Sequence, residues 1–358
     1  MKTRLVLFIT FLCCGLSAQQ NPLVPLTSQE KSALLNAIDN DTVFASWVGD
    51  DAYAIKLYEQ YKANVIHSDS VWKSDQQKLH KIHDFSYTST FELLPLVEHL
   101  YGNPEFKKGM GVSYLVRTDN STILFDTGID DDSTMCVLRY NLDILGIDIS
   151  EIDAIVISHN HGDHQNEWKW IHDRTFVNNE NENILPGLKI YIPEDTLDLK
   201  ITTISSHDPV KISEGVYTTG IIKAPMFFYS TQEQGIMVNV KDKGIIIITG
   251  CGHQTIEKLI ERFKRLSDMP LYGILGGLHY PVEGDSETYY GYFITGKLPW
   301  ESFNLTDVNK KIEFIKKQNV KLIGVSTHDS SGKTIEAFKT SFPLEYKDLR
   351  TGEWIVVK

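Results

Sequence analysis

Residues 158–164 read Ser-His-Asn-His-Gly-Asp-His, so three imidazoles and a carboxylate fall within six consecutive positions. Neutral imidazole and carboxylate are ligands that suit zinc, iron or manganese. Held near a core without a cation, the same cluster would be costly to desolvate. The preceding residues 152–157, Ile-Asp-Ala-Ile-Val-Ile, form a short β-branched run that reads as a buried parallel strand. The cluster therefore sits just past a strand's carboxyl end, where open α/β sheets place their sites. From an extended segment His159 and His161 point the same way, while Asp163 and His164 follow on the next turn and can address a second ion.

Three later strands end alike. Residues 243–250 run into Cys251-Gly252-His253, residues 272–277 into Leu278-His279, and residues 320–325 into Ser326-Thr327-His328. One histidine in such a place would be an ordinary structural residue. The repeated strand-end placement instead makes six of the twelve histidines candidates: His159, His161, His164, His253, His279 and His328. Helical patterns separate these strands. One carries Ile256, Leu259, Ile260 and Phe263 on its apolar face with Glu261 and Arg265 as an i,i+4 pair; the other carries Val308, Ile312 and Ile315. Strands alternating with helices from about Phe106 onward are the signature of a layered α/β fold.

The start of the chain is different in texture. Met1-Lys2-Thr3-Arg4, an apolar run over residues 5–12 and Leu16-Ser17-Ala18 have the form of a secretory signal, with cleavage expected near Ala18 and a periplasmic or secreted destination. Residues 19–85 then read as an N-terminal helical extension. Thr27 and Glu30 make a capping box ahead of Leu34, Leu35 and Ile38, and Ala54, Leu57, Tyr58, Tyr61 and Val65 recur at helical spacing. Residues 86–358 form the main domain. With 42% hydrophobic residues the chain can bury one large core plus this accessory segment.

Charge and cysteine use narrow the class. The formal net charge is −12, and −14 once Lys2 and Arg4 are removed, which disfavours nucleic-acid phosphates as a partner. No later apolar stretch is long enough to cross a bilayer. Beyond the leader only Cys136 and Cys251 remain, so no disulfide framework exists. The expected partner is a small-molecule substrate; the sequence leaves the oligomeric state open.

The segment His159, His161, Asp163, His164 resembles the H-x-H-x-D-H signature of the metallo-β-lactamase superfamily. Upstream, a hairpin formed by residues 115–117 and 123–125 around Asp119-Asn120 leads into Asp126-Thr127-Gly128, similar to the D-T-G that supports the metal loop from behind in that superfamily. The later Thr249-Gly250-Cys251-Gly252-His253 and Gly276-Gly277-Leu278-His279 narrow the resemblance to the branch named for dihydropterin-ribofuranosylaminobenzene phosphate synthase. Gly252 replaces that branch's serine, and His328-Asp329-Ser330 stands where the branch has H-C-T.

The resemblance implies a four-layer αββα sandwich and a metal-dependent hydrolase acting on an ester, lactone or phosphoester, with a pterin-pathway transferase or a non-catalytic metal-binding protein as alternatives. It implies Zn2+, as two ions, with iron or manganese as other occupants. His159, His161 and His253 would hold the first ion and Asp163, His164 and His328 the second. Asp163 would also activate water, and His279 would contact substrate, an assignment that exchanges with that of His328. Asp126 would support the loop, and Cys251 is either a ligand or an inert buried thiol. Aromatics in the insertion over residues 280–305, among them Tyr289, Tyr290 and Trp300, together with Trp168 and Trp170, are either an apolar lid or ordinary packing.

Overall fold

The computed structural model describes residues 21–83, 85–100, 102–129, 136–165, 188–193, 203–282 and 288–358. Residues 1–18, the expected leader, lie outside the described residues together with Trp168 and Trp170, as do the side chains of Tyr289 and Tyr290.

Two sheets face each other and helices cover their outer faces. The first sheet contains β1 (Phe91–Val97), β2 (Ser113–Thr118), β3 (Thr122–Phe125), β4 (Ala154–Val156), β5 (Lys189–Tyr191), β6 (Thr203–Ile204) and β15 (Ile355–Val357), in the order β15-β1-β2-β3-β4-β5-β6. The second contains β7 (Lys211–Ser213), β8 (Val216–Thr218), β11 (Ile236–Val240), β12 (Gly244–Thr249), β13 (Leu271–Gly276) and β14 (Leu322–Val325), in the order β14-β13-β12-β11-β8-β7. Strands β9 (Ile222–Pro225) and β10 (Ser230–Glu233) form a separate hairpin.

Strand periodicity explains why the apolar runs are continuous. In β12, Ile246 and Ile248 enter the layer between the sheets, while Ile245 and Ile247 enter the layer under the helices. In β4, Ala154 and Val156 face the opposite sheet, whereas Ile155 packs outward with Leu138 and Leu142 of α4 (Val137–Leu145). Both faces are buried, so both parities must be apolar. On the far side α5 (Ile256–Leu266), α6 (Leu305–Lys316) and α7 (Gly332–Ser341) bury Leu259, Phe263, Ile312 and Phe338 in one cluster. The layers are therefore αββα, as the sequence implies.

The extension is helical: α1 (Ser28–Asn40), α2 (Thr42–Val48) and α3 (Asp51–Lys78). The Thr27–Glu30 capping box forms. Its aromatics Phe44, Trp47, Tyr58 and Tyr61 pack on Phe227, Phe228 and Tyr229 at the tip of the β9–β10 hairpin and on Tyr292 and Phe293. One expectation fails. Arg265 donates to the main-chain oxygen of Gln76 in α3, docking the extension rather than pairing with Glu261. Among the described residues no helix is long and apolar enough to cross a membrane.

Candidate metal centre

Strands β3, β4 and β5 are mutually parallel in one sheet, and β12, β13 and β14 are mutually parallel in the other. Their carboxyl ends bring the predicted histidines together: His159 and His161 after β4, His164 in the 3-10 turn Gly162–His164, His253 after β12, His279 after β13 and His328 after β14. Ring centroids lie 4.4 Å apart for His159–His161, 5.1 Å for His159–His253, 5.2 Å for His164–His328 and 4.5 Å for His253–His279. One cluster thus straddles the ends of both sheets.

Which nitrogen faces where follows from the partners. His164 Nδ1 lies 2.7 Å from Asp126 Oδ2 and its Nε2 3.1 Å from Cys251 Sγ. His328 Nδ1 lies 2.6 Å from Ser326 Oγ and its Nε2 3.1 Å from the same sulfur. His159 Nδ1 meets Ser158 Oγ at 2.8 Å, leaving its Nε2 at 2.9 Å from His161 Nδ1, whose Nε2 meets the Tyr229 hydroxyl at 2.8 Å. In each ring one nitrogen is held by an oxygen and the other aims at a shared interior. Both ring nitrogens of His253, a buried residue, have no hydrogen-bond partner among the described residues. A buried imidazole in that condition fits a ligand to a cation.

Cys251 lies at the middle. His159, Cys251 and His253, then His164, Cys251 and His328, then Cys251, His279 and Asp329 each bring their donor atoms within 4.8 Å of one another, and each group could hold a metal ion. Burial and the nearby carboxylates Asp329, Asp163 and Glu233 push the Cys251 thiol well up, so a thiolate forms there only against a cation. Burial holds the pKa of His159, His253 and His328 well below the ordinary value, with further depression from neighbouring imidazoles. For His164 burial acts the same way, but Asp163 and Asp126 outweigh it and raise the ring to about 9. At His164, therefore, the adjoining carboxylates favour positive charge.

The supports are as defined as the donors. Asp126, fully buried at φ 57°, accepts from Ser158 N at 2.6 Å and Ser158 Oγ at 2.7 Å as well as binding His164. Glu233 accepts the main-chain N–H groups of Cys251, Gly252 and His253 at 3.1, 2.8 and 2.7 Å, which fixes the loop leading into α5. Gly250 lets the sheets close: a Cβ there would lie 2.0 Å from Ser158 Oγ. Asp329 Oδ2 accepts His279 N at 2.9 Å, and His279 has φ 54°.

Every histidine named from the sequence joins the cluster, and Asp163 Oδ2 lies 3.7 Å from His164 Nε2. Trp300 does not join it. Trp300 packs with Phe44, Tyr58 and Phe227, at 5.7, 5.5 and 5.8 Å between ring centroids. The sequence reading missed Ser158, Glu233, Tyr229, Ser326 and Asp329 as parts of the centre. Ser158, Ser326 and Asp329 adjoin ligand candidates in sequence and were findable; Tyr229 and Glu233 carry no local signal.

The profile of the metallo-beta-lactamase superfamily matches residues 107–217, which include Asp126 and the first histidine cluster. A protein from Methanocaldococcus jannaschii whose function is uncharacterized is 30% identical over 224 residues, covering 54% of this chain and 82% of that protein. The chain belongs to the metallo-beta-lactamase superfamily. The 7,8-dihydropterin-6-methyl-4-(beta-D-ribofuranosyl)-aminobenzene-5'-phosphate synthase of the same organism is 26% identical over 294 residues, 71% of this chain and 92% of the synthase. Among solved structures, a metal-dependent hydrolase of the beta-lactamase superfamily shares the fold with TM-score 0.53 and 19% identity, over 75% of this chain and 99% of that one. The superfamily fold thus accounts for the αββα layers, and α1–α3 lie before the residues that the profile matches.

Proposed function

We propose that this chain is an exported, metal-dependent hydrolase acting on a small ester, lactone or phosphoester. The observation that supports it is the convergence on Cys251 of imidazole nitrogens whose other nitrogens are tied to oxygens, beside His253, whose ring nitrogens have no hydrogen-bond partner among the described residues. His159, His161 and His253 would hold one divalent ion, and Asp163, His164 and His328 the other, with Cys251 between them. Zinc suits this nitrogen, oxygen and sulfur set best, with iron or manganese as the alternatives. Bound there, such ions supply Lewis acidity and an acidified water.

The chain's own groups supply position and proton transfer. Asp163 keeps 28% of its side chain exposed, whereas the Asp126 side chain is fully buried, so Asp163 faces the accessible side. It is the carboxylate placed to orient a water and accept its proton. Asp126 and Ser158 hold the rings of His159 and His164 in register. His279, held through its main-chain N–H by Asp329, presents an imidazole beside His253 as the contact for a substrate oxygen.

A second reading, transfer chemistry on a pterin precursor, is favoured by the likeness to the synthase over most of that enzyme's length. Against it stands the expected leader over residues 1–18, since phosphorylated biosynthetic intermediates stay inside cells. Metal analysis, together with turnover of an ester, lactone and phosphodiester panel before and after chelation, separates the readings. Chelator-sensitive hydrolysis supports the first; metal binding with no hydrolysis of any panel member overturns it. Mass spectrometry of the mature chain should show a start near Gln19, and a retained Met1 in the native host would refute export.

A further inference from the structure

The centre contains two carboxylate–serine–histidine relays, one built on a serine that follows a strand of each sheet. In the first sheet Ser158, just past β4, donates its hydroxyl to Asp126 and meets His159 Nδ1. In the second, Ser326, just past β14, donates its hydroxyl to Glu98 Oε1 and meets His328 Nδ1 at 2.6 Å. Glu98 follows β1 of the opposite sheet and is fully buried. It accepts from Tyr114 Oη at 2.9 Å, His99 N at 3.0 Å and Thr327 Oγ1 at 3.4 Å as well.

Donor and acceptor counting fixes a proton. A serine hydroxyl has one hydrogen, and a carboxylate can only accept. Since Ser326 gives its hydrogen to Glu98, its oxygen must accept from His328, which places the ring proton on Nδ1. The Nε2 lone pair is then the one facing Cys251. We infer that Glu98 is a positioning residue that sets the tautomer of His328 through Ser326 and so prepares the second metal position from across the sandwich. This inference rests on the metal centre proposed above.

Glutamine at position 98 is nearly isosteric but cannot serve. With its amide nitrogen toward Ser326 it donates where the carboxylate accepted, turns the serine hydrogen onto His328 Nδ1 and drives the ring proton to Nε2, removing the lone pair. With its oxygen toward Ser326, the amide instead confronts the His99 N–H. Burial pushes Glu98 up to about 7, so the comparison belongs at about pH 8, where the carboxylate prevails.

The test uses the full mature protein, stripped and titrated calorimetrically with zinc, with 15N NMR of the histidine rings before loading. In Glu98→Gln we expect one ion to bind as in the parent, the other to weaken by about 10–100-fold, and the His328 signals to shift from Nδ1–H toward Nε2–H. Ser326→Ala should weaken the same ion, and the double variant should be no worse than either single one. Ser326→Ala also carries the test should Glu98→Gln fail to fold. Parent-like binding of both ions, equal weakening of both, or additive losses in the double variant would overturn the role of Glu98. A parent that binds no zinc would sink the metal-centre reading instead, while the tautomer signal would still decide the relay.

Discussion

Replacing Gly250 by alanine should damage the protein out of proportion to one methyl group. The added Cβ would lie 2.0 Å from Ser158 Oγ, 2.6 Å from Ser158 Cβ and 3.0 Å from Asp126 Oδ2. Real Cβ contacts essentially never fall below 3.0 Å, so Ser158 must retreat by about 1 Å. Gly250 is not among the residues at positive φ, so the cost is steric rather than conformational. Overpacking of this kind costs about 1–3 kcal/mol. The retreat also breaks the bond from Ser158 Oγ to the Asp126 carboxylate, worth about 1.5–3 kcal/mol for a charged acceptor. Together these give a loss of about 2.5–6 kcal/mol, which at about 2.1 cal/mol/K of unfolding entropy per residue over 358 residues is a fall of roughly 3–8 °C in melting temperature. Scanning calorimetry of the chelator-treated protein measures this directly. In a Ser158→Gly background, where the hydroxyl and Cβ that would clash are gone, Gly250→Ala should cost much less. A melting temperature equal to that of the parent, or the same loss in both backgrounds, would refute the argument.

Other expectations follow from the same geometry. His161→Ala should abolish binding of at least one ion while leaving far-ultraviolet circular dichroism unchanged, because the core lies between the sheet layers; global unfolding would mean that the site holds the fold. Trp47, whose ring lies 4.7 Å from that of Tyr292 and 5.7 Å from that of Phe293, should lose about 3–5 kcal/mol of cap stability on change to alanine, read as an earlier, separate denaturant transition of the extension. The hydrogen bond from Lys62, with one from Thr27 N, holds the Glu30 carboxyl down to about 2 from 4.5. A depressed carboxylate stabilises above its unfolded value and ceases to as pH falls through the folded one. Proteolysis within α1 should therefore accelerate between those two values in the parent, and Lys62→Ala should flatten the profile; parallel profiles would exclude the pair.

Much of the centre was legible because its signals are local. An apolar strand followed within four residues by histidine can be read from nearby positions, and this held at His159, His253, His279 and His328 alike. The αββα layers were readable from alternating element types. What escaped is what depends on register between distant strands. Glu98 and Ser326 are 228 residues apart, and Tyr229 meets His161 across 68. Neither glutamate nor tyrosine announces a partner in another sheet. The Arg265 pair failed for the converse reason: helical spacing offered Glu261, but the docked extension offered a main-chain oxygen at a less exposed place.

The aromatic seam between the extension and the rest of the chain also sets an order of assembly. Its hydrogen bond from Tyr292 to Asp41 spans 251 residues, and loop-closure entropy rises with that separation. The helices emerge first from the ribosome, yet their docking surface exists only when residues 226–229 and 292–293 are in place. The sandwich must therefore form before the seam closes, leaving Phe44, Trp47, Tyr58 and Tyr61 exposed for that interval. Pulse-labelled hydrogen exchange should accordingly show β4 and β12 protected before α2.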